Sequence, residues 1–408
     1  MNFQETVDFL YSRLPYFSRD GKSAIKKDLH NTIKLCEILG NPQHKFKCIH
    51  IAGTNGKGSV SNMLAAILQN NGYRTGLYTS PHLKDFRERI RINGDMITES
   101  FVIEFTEKII PYLDEIQPSF FEITVAMCFD YFAQNKIEIA VVETGLGGRL
   151  DSTNIIHPVI SIITNIGMDH ADLLGDTLGK IASEKAGIIK HNVPVVIGER
   201  QIETDQVFVD KAKAESAPIY FAEDNQELNA SEIKTDLKGL YQSKNIKTVL
   251  QSVLTLNGVG IETKTELTLD ALSRVREITN FRGRWEILSE SPKIVADTGH
   301  NAHGLKWVVA QLAAERKGQL HMVFGMVKDK DRTEILKLLP KDAHYYFCSP
   351  ALMRALDKET LKAEAEKEGL KGKTYESVQM ALDAAKTQAN SEDLIFIGGS
   401  TFVVAEIL

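Results

Sequence analysis

Gly53-Thr54-Asn55-Gly56-Lys57-Gly58-Ser59 follows a short apolar run, Cys48-Ile49-His50-Ile51-Ala52, and opens a helix-like run over 60–70. Strand, glycine-rich turn and helix in that order is the setting of a phosphate-binding loop. The glycines let backbone N–H groups turn inward around a polyphosphate, and the helix adds its N-terminal donors and the positive end of its dipole. Lys57 supplies a point charge for the β- and γ-phosphates, and Ser59 a hydroxyl for Mg²⁺. The stretch therefore implies binding of a nucleoside triphosphate. It departs from the pattern G-x-x-x-x-G-K-[ST], because Ile51 stands where the first glycine belongs and Gly58 directly follows Lys57. That departure argues against ordinary GTPases and motor ATPases. A glycine-rich turn with no ligand is the alternative.

Bulk properties frame the loop. A chain of 408 residues exceeds one comfortable core and suggests two domains. The net charge of −6 makes no electrostatic case for nucleic acid or an anionic membrane. The four cysteines, Cys36, Cys48, Cys128 and Cys348, are scattered without metal-ligand spacing, which fits reduced thiols and a cytoplasmic protein. Glu5 and Asp8 interrupt the apolar residues of the N-terminus, which does not read as a signal peptide. Arg87, Arg89 and Arg91 alternate with Glu88, Ile90 and Ile92, a pattern expected of one face of a strand and also of a solvated face.

Near-continuous apolar runs predict strands over 48–52, 75–79, 138–143, 159–164 and 193–197. Between and after them, helical runs are expected over 60–70, 101–112, 121–134, 178–188 and 242–256, while 198–238 reads as polar and irregular. A second series of strands is expected over 293–297, 320–324, 344–348 and 393–397, with helices over 302–314, 332–338, 358–368 and 377–389. The fold class is α/β: an N-terminal P-loop-type ATPase domain with a mostly parallel sheet, 1–280, and a smaller C-terminal Rossmann-like α/β domain, 281–408.

Open α/β sheets place ligands at the carboxyl ends of their strands. There the sequence sets Ser59, then Ser80 in Thr79-Ser80-Pro81-His82, Glu143 in Val142-Glu143-Thr144-Gly145, and His170 in Asn165-Ile166-Gly167-Met168-Asp169-His170. Two hydroxyls, a carboxylate and an imidazole suit hard cations beside a triphosphate. Singly, Glu143 also reads as a solvated or paired carboxylate, and His170 with Asp169 as a hydrogen-bonded loop pair. Asp151 and Asn154 follow Gly147-Gly148-Arg149-Leu150, where either ligand binding or ordinary turn chemistry applies. Asp297-Thr298-Gly299-His300-Asn301 lies between an apolar run and a helix. There Asp297 suits ribose hydroxyls or an amine and equally suits an N-cap, and Arg284 suits phosphates and equally a linker.

These stretches, with Glu184-Lys185-Ala186-Gly187, occur in one order that closely resembles the folylpolyglutamate synthase/dihydrofolate synthase family of the Mur ligase superfamily. Phe281-Arg282-Gly283-Arg284 resembles the family's Phe-Pro-Gly-Arg with Arg282 in place of proline, and Asp297-Thr298-Gly299-His300-Asn301 resembles its Asp-Gly-Ala-His-Asn. The resemblance runs from about residue 20 to the end of the chain.

The resemblance implies that Asn55, Gly56, Lys57 and Gly58 cradle the phosphates of ATP. Two Mg²⁺ sites are implied, one on Ser59 and Ser80 and one on Glu143 and His170. Lys57, Lys185 and His170 are the implied catalytic groups, with Lys185 carbamylated; a plain surface-helix lysine is the alternative. Asn245, Arg284, Asp297 and His300 are implied nucleotide contacts. A pteroate pocket is implied at Asp28, Leu29, Phe121, Glu122, Ile123, Thr124, Leu150, Asp151 and Ser152. The implied reaction adds L-glutamate to dihydropteroate, to a reduced folate, or to both, through an acyl phosphate. The implied enzyme is a monomer with small-molecule partners only. Another Mur-type amino-acid ligase, a P-loop kinase or nucleotide switch, and a non-catalytic binding protein are the competing readings.

Overall fold

The computed structural model describes residues 1–24, 26, 28–328 and 332–408. They form two compact units. The first comprises Met1–Gly167, Ala171–Asp236 and Ser243–Phe281; the second comprises Met168–His170, Leu237–Gln242 and Arg282–Leu408. Both are α/β. Two short segments, 168–170 and 237–242, pack with the second unit although the chain before and after them belongs to the first. A single boundary in the sequence cannot express that.

The first unit is built on eight strands: β1 (Lys47–Ala52), β2 (Thr75–Tyr78), β3 (Ile90–Ile92), β4 (Asp95–Met96), β5 (Ile139–Glu143), β6 (Ile160–Ile163), β7 (Val195–Ile197) and β8 (Ile219–Phe221). Their order is β4-β3-β2-β5-β1-β6-β7-β8. Every pair from β2 to β8 is parallel, and β3 and β4 add an antiparallel edge. The central strands β1, β5 and β6 are mostly apolar and almost wholly buried because helices cover both faces. Met63, Leu64 and Ile67 of the helix Lys57–Asn70 and Val125, Met127 and Phe129 of the helix Phe120–Gln134 are fully buried. Ile51 pairs with Glu143 of β5 and with Ile162 of β6, so three neighbouring strands end level with one another. That level edge is where the phosphate loop leaves β1.

The arginine run does not form one strand face. Phe86–Arg89 is a 3₁₀ turn, only Ile90–Ile92 is strand, and Arg89 and Arg91 are buried rather than solvated. Arg91 donates to the carbonyls of Thr279 and Asn280. Those two carbonyl oxygens take its Nη1 donors and offset part of the cost of burying a guanidinium. The stretch expected to be irregular holds the helix Asp205–Ala214 and β8. The helices Phe3–Arg13 and His30–Ile38 also precede β1.

The second unit has six strands: β9 (Glu286–Glu290), β10 (Lys293–Ala296), β11 (Leu320–Phe324), β12 (His344–Cys348), β13 (Lys371–Tyr375) and β14 (Leu394–Gly398). Their order is β13-β12-β11-β14-β10-β9, parallel except for the β9–β10 pair. β10, β11, β12 and β14 are buried apolar strands, whereas β9 and β13 are half-exposed edges.

Candidate active site

At the edge of the first sheet the loop 53–59 is held largely by the loop that follows β6. Thr54 N–H donates to the Asn165 carbonyl at 2.9 Å and Asn55 N–H to Asn165 Oδ1 at 3.1 Å. Thr164 Oγ1 donates to the Asn55 carbonyl at 2.5 Å, and Thr54 Oγ1 to the Gly167 carbonyl at 3.1 Å. The loop after β6 is therefore the mould of the loop after β1. Gly56 ends the turn with φ of 83° and caps the helix Lys57–Asn70. Only glycine adopts that conformation without strain. A Cβ there would also stand 2.3 Å from Asn245 Oδ1, so the asparagine is packed directly on the loop.

Two lysines converge on one oxygen. Lys57 Nζ donates to the Gly53 carbonyl at 3.1 Å and to the Thr54 carbonyl at 3.3 Å. Lys185 Nζ, on a buried side chain of the helix Leu178–Ala186, donates to the same Gly53 carbonyl at 2.8 Å. Lys185 is thus an interior group of the site, not a surface lysine. Ser59 and Glu143 are also buried, and a Cβ on Gly58 would lie 3.7 Å from Glu143 Oε2, which sets that carboxylate against the phosphate loop.

The loop carrying Ser80 is built by Glu88, Arg89 and His82, to which the sequence reading gave no such supporting role. Glu88 accepts from the backbone N–H groups of Leu83, Lys84 and Asp85 at 2.7, 3.0 and 2.9 Å. Arg89 Nε donates to His82 Nδ1 at 2.7 Å, and Tyr11 Oη lies 3.1 Å from His82 Nε2. Burial, then Arg89, pushes the His82 pKa well below its ordinary value. The imidazole is a neutral spacer.

The loop 144–154 closes the site on its other side. Arg149 N–H donates to the Glu184 carbonyl, and Asn154 Nδ2 to the carbonyls of Arg149 and Gly187. A Cβ on Gly148 would lie 2.8 Å and 2.9 Å from the carbonyl oxygens of Glu184 and Lys185. Gly148→Ala is therefore expected to destabilise the first unit by about 1–3 kcal/mol through overpacking against backbone, read as a lowered denaturant midpoint. Unchanged stability would show that the loop does not depend on this approach.

Asp151 is buried, with Oδ2 accepting from Leu146 N–H at 2.8 Å and Oδ1 from Thr153 N–H at 3.0 Å and Thr153 Oγ1 at 2.5 Å. Burial raises its pKa, opposed by these hydrogen bonds. Ser152 is buried beside it, and Leu150 is half-buried. The ring of Phe121 packs against Gly145, where a Cβ would lie 2.5 Å from it. Glu122 closes a capping box with Ser119; its Oε2 also takes Asn31 Nδ2 at 3.3 Å, while Oε1 has no hydrogen-bond partner among the described residues. Burial raises its pKa. Ile123 lies in the main core, and Thr124 Oγ1 is bonded to the Phe120 carbonyl. Asp28 is exposed, and the half-buried Leu29 caps the helix His30–Ile38.

The remaining expected residues lie in the second unit. Asp297 is 2% exposed, and its carboxylate accepts from Tyr241 Oη at 2.6 Å, Trp285 N–H at 2.8 Å and Gly299 N–H at 2.7 Å. It holds Trp285 in a left-handed conformation, φ 43°. Arg284 Nη1 donates to the Gly283 carbonyl at 3.1 Å and to Thr298 Oγ1. His300 Nδ1 lies 3.0 Å from the Thr298 carbonyl. Asp169 gathers His170 N–H, Asn301 Nδ2 at 3.1 Å and His300 Nε2 at 3.6 Å. The structure thus groups His170 with His300 and Asn301, and groups Ser59, Ser80, Glu143 and Lys185 in the first unit.

Among the described residues no three His, Cys, Asp or Glu side chains cluster as a protein-only metal cage, and no helix is long and apolar enough to cross a membrane. The donor set present, two hydroxyls and a carboxylate beside a phosphate loop, fits Mg²⁺, which takes few protein ligands and the phosphates of its nucleotide.

Comparison with known proteins agrees with this geometry. Residues 51–267 match the Mur ligase middle domain, and residues 283–401 match the Mur ligase glutamate ligase domain. The chain is 31% identical over 435 residues to the dihydrofolate synthase/folylpolyglutamate synthase of Bacillus subtilis, covering 99% of this chain and 98% of that one. It is 31% identical over 433 residues to a probable bifunctional folylpolyglutamate synthase/dihydropteroate synthase of Haloferax volcanii, covering 100% of this chain but spanning only 50% of that longer protein. Escherichia coli FolC in complex with DHPP and ADP superposes with a TM-score of 0.88 at 28% identity, covering 100% of this chain and 97% of that one. A bifunctional folylpolyglutamate synthase/dihydrofolate synthase with Mn, AMPPNP and L-glutamate bound gives a TM-score of 0.85 at 26% identity, covering 100% and 97%. The chain belongs to the folylpolyglutamate synthase/dihydrofolate synthase family, ATP-dependent ligases assembled from Mur ligase domains.

Proposed function

We propose that this chain joins L-glutamate to dihydropteroate and also extends reduced folates with glutamate. Residues 1–280 serve as the ATP-binding domain and 281–408 as the C-terminal domain. The observation that carries the reading is the convergence of Lys57, Lys185, Ser59 and Glu143 on the loop between β1 and the helix Lys57–Asn70. A free carboxylate is a poor electrophile because its leaving group is oxide. Attack of a substrate carboxylate oxygen on the γ-phosphorus of ATP releases ADP and gives an acyl phosphate. The glutamate amine then adds to the acyl carbon, the C–O bond to phosphate breaks, and the amine's proton leaves with phosphate or solvent.

Lys57 holds its ammonium where negative charge grows on the transferring phosphoryl group. Ser59, Ser80 and Glu143 would hold hard divalent cations, with His170 keeping the second-site role that the family resemblance gives it. Mg²⁺ bound there supplies charge neutralisation. Lys185 is read as carbamylated: bonding of CO₂ to its amine turns a cation into an anion that does not repel the metal. Incubation with ¹³C-bicarbonate is expected to give a carbamate ¹³C resonance that is absent in Lys185→Ala; no such resonance removes the modification from the mechanism.

Asp151 and Phe121 are read as pterin contacts, since a buried carboxylate beside an aromatic wall suits a flat ring that carries N–H donors. The protein is read as a cytoplasmic monomer, in keeping with its four free, buried cysteines.

The test is phosphate release from ATP with L-glutamate and either dihydropteroate or tetrahydrofolate, omitting each component in turn. Release that needs glutamate and proceeds with both acceptors is expected. Release with dihydropteroate alone restricts the enzyme to dihydrofolate synthesis, and release without glutamate replaces the ligase by a kinase or nucleotide switch.

A further inference from the structure

His50 lies in the middle of β1, three residues before the phosphate loop, and is completely buried. A polar ring in the central strand of a sheet is costly unless it is hydrogen-bonded. Its Nε2 lies 2.8 Å from Thr153 Oγ1, and Thr153 Oγ1 lies 2.5 Å from Asp151 Oδ1. These distances define a chain His50–Thr153–Asp151 from the strand that bears the phosphate loop to the carboxylate read above as a pterin contact.

The direction of the chain follows from valence. Asp151 Oδ1 accepts from both the N–H and the hydroxyl of Thr153, so the one Thr153 hydroxyl proton goes to Asp151. The hydroxyl oxygen must then accept from His50, whose proton sits on Nε2. Nδ1 is left as a bare acceptor, and that atom has no hydrogen-bond partner among the described residues. An orphaned acceptor is less costly in an interior than an orphaned N–H, so the same tautomer is preferred on both counts. Burial, then Lys190, pushes the His50 pKa down to about 3, so the ring stays neutral and carries one proton.

Asp151 has few ways to turn. Leu146 N–H holds Oδ2, and Thr153 holds Oδ1 through its N–H and its hydroxyl. Without a donor at position 50, the hydroxyl of Thr153 loses the partner that orients its proton. That hydroxyl can then rotate away, and Asp151 loses one of its three anchors.

We propose that His50 is a positioning residue for the acceptor substrate: through Thr153 it fixes the orientation of Asp151 without touching the substrate itself. The proposal rests on Asp151 being a pterin contact.

His50→Leu keeps the approximate volume and removes the donor, while His50→Gln keeps an N–H close to the Nε2 position. His50→Leu is expected to raise KM for dihydropteroate about tenfold, the value of one hydrogen bond. KM for ATP and kcat should each change less than about twofold. His50→Gln should restore KM for dihydropteroate to within about threefold of the parent. An equal rise of both KM values, or no rise for dihydropteroate, overturns the proposal, as does failure of glutamine to rescue.

Asp151→Asn separates the two layers. If it leaves KM for dihydropteroate unchanged, the pocket reading falls and takes the positioning role with it. If it raises that KM while His50→Leu does not, only the positioning role falls. Histidine ¹⁵N spectra of the unsubstituted protein need no variant to fold. They should show the Nε2–H tautomer for His50, with a shift on adding dihydropteroate but not ATP. An Nδ1–H tautomer overturns the proposal.

Discussion

Lys57→Ala is expected to lower phosphate release and ligation by about 10³-fold while leaving the fold intact. The magnitude is that of removing one preorganised charged donor from a developing oxyanion, about 4 kcal/mol. Stability should change by no more than about 2 kcal/mol, because two opposing terms partly offset. Lys57 is the first residue of the helix Lys57–Asn70, where a cation opposes the positive end of the helix dipole. Removing it relieves about 0.3–1 kcal/mol of repulsion, against two hydrogen bonds to the Gly53 and Thr54 carbonyls. The measurement is turnover at saturating substrates beside thermal unfolding. Parent-like turnover would remove Lys57 from the mechanism, and a large loss of melting temperature would show that its role is structural.

The second large effect is acid lability of the first unit. The folded pKa of His50 is about 3, below the ordinary histidine value of about 6.5 that the unfolded chain shows. Between those values the unfolded state binds one proton more than the folded state, so stability falls as pH falls through that window. The slope approaches about 1.4 kcal/mol per pH unit below pH 6.5, which amounts to about 2.3 kcal/mol between pH 6.5 and 4.5. His50→Gln has nothing to protonate there and should lose that much less stability over the same interval. Trp285 and Trp307 both lie in the second unit, so tryptophan fluorescence would follow the wrong body. Amide exchange in β1 is the appropriate readout. Equal acid loss in the parent and in His50→Gln would show that His50 is not buried neutral.

Much of this architecture could be read before any coordinates. β1, β5, β6, β11 and β14 are mostly apolar and almost wholly buried because both faces are covered, and the runs of Ile, Val, Leu and Phe in them are visible in the sequence. The edge strands were not legible. β13 reads Lys-Gly-Lys-Thr-Tyr, and β4 has two residues, both exposed. Edge strands bury little, so their composition carries little signal. The nucleotide end of the site was legible because the phosphate loop is a contiguous string with its own chemistry.

The supporting groups were not legible, because their partners are remote in sequence. Arg91 looks like a surface charge until the carbonyls of Thr279 and Asn280, 188 and 189 residues away, are seen to receive it. His50 looks like one more residue of an apolar run until Thr153, 103 residues on, meets its ring. Asp297 was expected to face a nucleotide, whereas its oxygens already hold Tyr241, Trp285 and Gly299. In each case the residue type announced a polar role, and only the fold supplied the partner.

The Gly53 carbonyl receives an N–H from Lys57 and another from Lys185. A carbonyl oxygen has two lone pairs, so this one is saturated by two cations that would otherwise repel each other. The oxygen acts as a shared ballast. Adding CO₂ to Lys185 removes a cation from this shared oxygen, and Lys57 then feels less repulsion and binds the loop more firmly. A polyphosphate that draws Lys57 away leaves the carbonyl to Lys185. Were Lys185 carbamylated as proposed, the change would reach Lys57 through this one shared atom.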